Sequence, residues 1–162
     1  MDAGKEKRQM KKFITGLLVI AWMASIFAFS AQDATESSQT SQSVSYRIAK
    51  WQDRLFGQGK TEEELLHQAE GMQLFVRKGA HMGEYAMLAM LLAVHLGCYP
   101  IPKKRALLLA LLLAACYAAT DEFHQVFVPG RAGRAADVCI DSIGGLAGIF
   151  AVFLFWKKKR EI

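Results

Sequence analysis

Three apolar runs of this chain each continue for fifteen residues without a lysine, arginine, aspartate or glutamate, and each meets a carboxylate at one end. Tyr85–Tyr99 follows Glu84, Ala106–Thr120 leads into Asp121, and Ser142–Trp156 follows Asp141. Fifteen helical residues reach about 22 Å, against a hydrocarbon core of roughly 30 Å. As membrane helices, each run would have to continue through its acid to complete a crossing. That would place three carboxylates at similar depth near one face. Ionisable groups at such a depth are costly unless they are paired or face a polar cavity, which makes the layer a candidate site.

The rest of the composition supports a membrane setting. Of 162 residues, 52% are hydrophobic, and they are concentrated in long blocks. The net charge of +5 could suggest nucleic acid, but the basic residues flank the apolar runs. Lys5, Lys7, Arg8, Lys11 and Lys12 precede the first run, Lys103–Arg105 separates two others, and Lys157–Arg160 follows the last. This is the positive-inside pattern, so the charge reports topology and nucleic acid is excluded as a partner. Cys98, Cys116 and Cys139 form no CxxC or metal-ligand spacing and are expected to be packed, inert thiols.

In chain order, Phe13–Ser30 is an apolar run behind a basic leader. Ala28-Phe29-Ser30 resembles a signal-peptidase site, but the run is longer than a signal core, so a retained helix is expected. Ala31–Ser45 is rich in Ser, Gln and Thr and reads as a loop. Thr61-Glu62-Glu63-Glu64 fits a capping box, and Leu65, Leu66, Ala69, Met72 and Val76 then recur at helical spacing. An amphipathic helix is therefore expected over about 62–78. The fold class is all-α: a four-span bundle (about 13–31, 80–100, 104–126 and 136–156) with an external segment 31–79 carrying the amphipathic helix. Both termini are expected on the cytoplasmic side, with the protein multi-pass in its membrane.

The polar residues fall at helical spacing. His81 and Glu84 share a face, with Lys78 one turn before them. His95 points the same way near the other end and is expected to be hydrogen-bonded inside the bundle. Asp121, His124 and Gln125 share a face, with Glu122 turned away from it. Arg131 and Arg134 follow in a turn, available for a phosphate or carboxylate. Asp137 and Asp141 are in phase with Gly144, Gly145 and Gly148, so the surface that packs closely on another helix is also the acid-bearing one. The competing explanation is plain charge pairing, in which Lys78, Arg131 and Arg134 neutralise the acids to hold the helices together.

Three ordered blocks carry a family resemblance: Lys78-Gly-Ala-His81-Met-Gly-Glu84-Tyr85; Asp121-Glu122-Phe-His124-Gln125 with Pro129-Gly130-Arg131; and Asp137-Val-Cys-Ile-Asp141-Ser-Ile-Gly144-Gly145. Together with Phe29-Ser30-Ala31-Gln32 they make the chain resemble the VanZ-like family of small bacterial membrane proteins, over about residues 13–156. The whole chain, 1–162, is then one such domain. Asp141 stands where the family more often has Asn, and Met82 where an aromatic is usual. The resemblance implies a role in the cell envelope, since the namesake accompanies glycopeptide resistance and raises tolerance to teicoplanin. It implies no accepted reaction.

Three functions remain open on the residues alone. The first is capture of an anionic lipid or amphiphile head group by Lys78, Arg131 and Arg134. The second is an envelope enzyme in which His81, Glu84, Asp121 and His124 do acid–base work or hold a divalent cation. The third is a structural partner in an envelope complex that uses residues 31–79. Besides the lipid bilayer, the candidate partners are a lipid-linked wall precursor, a phospholipid or a lipophilic antibiotic.

Overall fold

A computed structural model describes residues 3–158, so Lys159 and Arg160 of the last basic cluster lie outside the described residues. The described chain forms five helices: α1 (Ala3–Ser30), α2 (Ala34–Phe56), α3 (Glu62–Leu96), α4 (Lys103–Gln125) and α5 (Ala135–Lys158). The protein is all-α, as expected. α3 is central and packs on α5, α2, α4 and α1.

Among the described residues three helices, α1, α4 and α5, are long and apolar enough to cross a membrane, not the four expected. All three expose large apolar side chains outward, among them Phe13, Ile20, Leu108, Leu112, Phe150 and Phe155. The expected second span is the C-terminal half of α3. His81, Glu84 and His95 interrupt its apolar character, and the helix ends at Leu96, before Pro100. This half packs amid the other helices, with Tyr85, Leu88, Ala89, Leu92 and Ala93 buried. Its only exposed large apolar residues are Met87 and Val94, so little of it needs the hydropathy of a lipid-facing helix.

The basic clusters gather at one end. Arg8 Nε donates to the Cys98 carbonyl at 3.3 Å, and Lys12 lies 4.4 Å from the Tyr99 ring centre. Lys103 sits over the Trp156 ring, which also covers Gly97. Further along, Thr15 Oγ1 lies 2.9 Å from His95 Nδ1, which accounts for His95 as a hydrogen-bonded interior group. Trp22 Nε1 then donates to the Glu84 carbonyl and Tyr117 to the Met23 carbonyl. The opposite end, where α1 and α4 finish and α5 begins, carries the acids.

The segment expected to be a loop is helical. α2 begins at Asp33, whose carboxylate accepts from the Thr35 and Glu36 amides at 2.8 Å, and ends at Gly57 in the left-handed conformation. Its buried positions are Ser37, Ser41, Ser45 and Ala49, a four-residue repeat of small side chains. These let α2 lie close along the first half of α3, tied by Tyr46 to Glu62, Gln68 to Gln52 and Arg77 to Ser38. A small-residue seam thus replaces the apolar stripe whose absence suggested a loop.

The amphipathic helix and the expected second span are likewise one continuous α3 of 35 residues, about 52 Å long. Its start is capped as expected: Thr61 accepts from the Glu64 amide and Glu64 from the Thr61 amide. Thr61→Ala should weaken this start by about 1 kcal/mol and speed amide exchange over residues 62–70. The Thr61 amide and hydroxyl hold the Glu64 carboxyl below its ordinary value. The cap should therefore be fully formed above the ordinary glutamate range and be lost as pH falls through the lowered folded value. Unchanged exchange in the variant would mean that the cap does not form in solution.

The three cysteines are free, but Cys116 and Cys139 lie exposed on the outer surface and not packed inside as expected.

Candidate functional site

At the acid end, α3, α4, α5 and the turn before α5 enclose a cavity of about 290 Å³. Its position follows from two close helix approaches. Gly144 and Gly148 of α5 lie on the backbone carbonyls of Met82 and Ala86 of α3, where a Cβ would overlap them. That contact fixes Asp141 and Asp137, one and two turns before Gly144, beside His81 and Lys78. The phase inferred from the GxxxG spacing is the one observed.

The turn is held equally closely. Gly130 has φ +71°, a conformation that favours glycine, and packs on Ala34, whose amide donates to the Pro129 carbonyl at 3.2 Å. Gly133 rests on the Glu122 carbonyl, and the Arg134 amide donates to Glu122 Oε2 at 2.9 Å. These contacts bring Arg131 and Arg134 to the cavity wall.

Four cations line the cavity: Arg77, Lys78, Arg131 and Arg134. Lys78 is paired with Asp137. None of the three arginines makes an ion pair among the described residues; Arg134 is exposed, whereas Arg77 and Arg131 are partly buried. Arg77 spends one guanidinium nitrogen on Ser38 Oγ at 3.1 Å, while its Nε is buried without a partner among the described residues. Burial first, and then the positive field of Arg77, hold the Arg131 guanidinium below its ordinary value, against the opposing pull of Asp121, Glu122 and Asp33. Two guanidinium groups thus share one wall without a carboxylate of their own.

His81, Glu122, Gln125 and Asp141 complete the polar lining, with Asp141 only 2% exposed. His81 Nδ1 stands 3.4 Å from Glu84 Oε2, within ion-pair range but without hydrogen-bond alignment.

Most of the residues expected at the site therefore converge. Lys78, His81, Glu122, Gln125, Arg131, Arg134, Asp137 and Asp141 line the main cavity. Glu84 lines a second, smaller cavity that shares Arg77, His81 and Arg131 with the first. Asp121 is buried to one side: Oδ2 accepts from Gln125 Nε2 at 3.3 Å, and Oδ1 has no partner among the described residues. Gln125 also donates to Ser30 at 3.0 Å, joining the ends of α1 and α4.

Two expected orientations are corrected. Glu122 is not turned away but faces the cavity, because the returning turn places the Arg134 amide over it. His124 leaves the site and packs on Phe27, with ring centres 4.5 Å apart. The proposed metal set of His81, Glu84, Asp121 and His124 is dispersed accordingly. Among the described residues no three His, Cys, Asp or Glu side chains come together as a metal-holding group. Arg77 was missed by the sequence reading. The available signal was its place one turn before His81, on the same face of α3.

No curated protein and no solved structure matches the chain. The sequence model of one family, VanZ/LLP1, matches residues 15–156, from within α1 to near the end of α5. That match covers all three blocks around the cavity and most of the chain, which therefore belongs to the VanZ/LLP1 family.

Proposed function

We propose that this multi-pass membrane protein binds an anionic head group in the cavity at its acid end, at the outer face of the bacterial cell membrane. The observation that carries this reading is the pair of guanidinium groups, Arg77 and Arg131, on one cavity wall without carboxylate partners among the described residues. Two buried or half-buried cations left without counter-ions are unfavourable, and an anion between them relieves that cost. The orientation follows from the basic clusters at the opposite end, which the positive-inside rule assigns to the cytoplasm together with both termini. Capturing an amphiphile at the outer leaflet gives a physical route to the glycopeptide tolerance with which the family's name is associated. The whole chain acts as one domain in this reading.

Native mass spectrometry tests it directly. Protein extracted from its own membranes in mild detergent should carry an anionic amphiphile, and Arg77→Ala together with Arg131→Ala should remove it. Equal retention by the double variant would refute the binding reading.

One observation favours a second reading. His81 and the deeply buried Asp141 line the same cavity as the guanidinium groups, which gives acid–base groups beside an anion site. An envelope enzyme acting on a lipid-linked substrate would use them. Turnover of such a substrate by the purified protein, lost in His81→Gln, would establish that reading; retention without turnover supports binding.

A further inference from the structure

We infer that the ligand is a lipid phosphate, with its phosphate between Arg77 and Arg131 and its hydrocarbon in the second cavity; this rests on the anion-binding reading of the same site. The second cavity, of about 130 Å³, lies between the end of α1, α2 and α3. Arg77, His81 and Arg131 line both cavities, so they form the partition between a charged chamber and a more apolar one.

On the far side of that partition stand Phe29, Val44, Val76 and Ala80. Gln32 and Glu84 also line it, Glu84 beside His81 on the partition side. Hydroxyl groups line it too, but two of them are already satisfied by their own helix. Thr40 Oγ1 donates to the Glu36 carbonyl at 3.0 Å, and Ser41 Oγ to the Ser37 carbonyl at 2.7 Å. Their remaining surface toward the cavity is largely carbon. Phe29 and Val44 are also exposed on the outside, so the chamber's edge meets the molecular surface between α1 and α2. A hydrocarbon can leave there without crossing the polar layer.

The head group follows from charge and shape. A carboxylate offers two oxygens in one plane to a single fork, whereas a phosphate offers tetrahedral oxygens to two guanidinium groups from different directions. Lys78 is already paired with Asp137, so the pair of arginines is the free positive charge deepest in the wall.

The test uses full-length protein in zwitterionic nanodiscs, titrated with inorganic phosphate, hexyl phosphate and hexanoate. Hexyl phosphate should bind about tenfold more tightly than inorganic phosphate, and hexanoate more weakly than hexyl phosphate. Ala80→Leu and, separately, Val76→Phe fill the second cavity and should remove most of the tenfold advantage. Affinity for inorganic phosphate, unchanged in both, would show that the site is still folded.

If both filled variants keep the advantage, or if the wild-type protein shows none, the hydrocarbon assignment is overturned while anion binding stands. Hexanoate binding as tight as hexyl phosphate would overturn the phosphate assignment alone. A wild-type protein that binds none of the three would overturn the anion reading and this inference together.

Discussion

Gly148→Ala should destabilise the protein by about 3 kcal/mol, the upper end of ordinary overpacking costs, because no side chain can yield to relieve it. The atoms in the way are the Ala86 carbonyl group and its Cα, part of the α3 backbone. Gly144 meets the Met82 backbone in the same manner, so Gly144→Ala should cost a similar amount. Relief requires α3 and α5 to separate along their whole contact, which would also move Asp141 away from His81. Gly145 provides the internal control. A Cβ there would lie 3.5 Å from Leu111 Cδ1, an ordinary contact with a flexible side-chain end, so Gly145→Ala should stay near wild type. Unfolding midpoints in mixed micelles of the three variants check this. Equal stability of Gly148→Ala and Gly145→Ala would mean that the helices do not approach so closely.

That close approach was legible in the sequence, and the reason is physical. Gly144 and Gly148 fall on the same helical face as Asp137 and Asp141, and one helix has a single rotational phase, so the acids must face whatever the glycines pack on. Convergence of Lys78, His81, Arg131 and Asp141 follows from the same logic. Periodicity within one helix reports its buried face well.

It reports less where small or polar residues do the packing. Ser37, Ser41 and Ser45 form the buried seam of α2, yet serine is also the signature of a loop, and only the four-residue repeat distinguishes the two. Glu122 shows a second limit. Its helical phase points away from Asp121 and Gln125, but the site is not built from one face of α4. The chain returns through Gly130 and Gly133 and covers Glu122 from the other side, which spacing within α4 cannot reveal.

The number of spans failed for a related reason. Hydropathy counts lipid exposure, and the C-terminal half of α3 is largely screened from the surface by its neighbours. It can therefore carry His81 and Glu84, which a lipid-facing helix could not bear without great cost. Arg77 escaped notice because it sits in the amphipathic half of α3, where a cation is unremarkable. Its importance comes from the turn at Arg131, which is distant in sequence and adjacent only in the fold.

The distinction between a charge-balancing arginine and an anion-binding one decides what Arg131 is for. Arg131→Ala should weaken anion binding by about 100-fold, the loss of a two-pronged charged contact worth roughly 3 kcal/mol. Arg131→Lys should fall nearly as far. A lysine keeps the charge but replaces the planar fork with a single strongly hydrated ammonium, and a half-buried position favours the more weakly hydrated guanidinium. Were Arg131 present only to offset Asp121, Glu122 and Asp33, a point charge would suffice and lysine would restore full function. Arg134 sharpens the comparison. Its backbone amide, and not its exposed side chain, meets Glu122, so Arg134→Ala should lose less than Arg131→Ala. Phosphate titration of the three purified variants measures the ordering directly. Full affinity in Arg131→Lys would remove the case for head-group recognition and leave the two arginines as counter-charges to the acid layer.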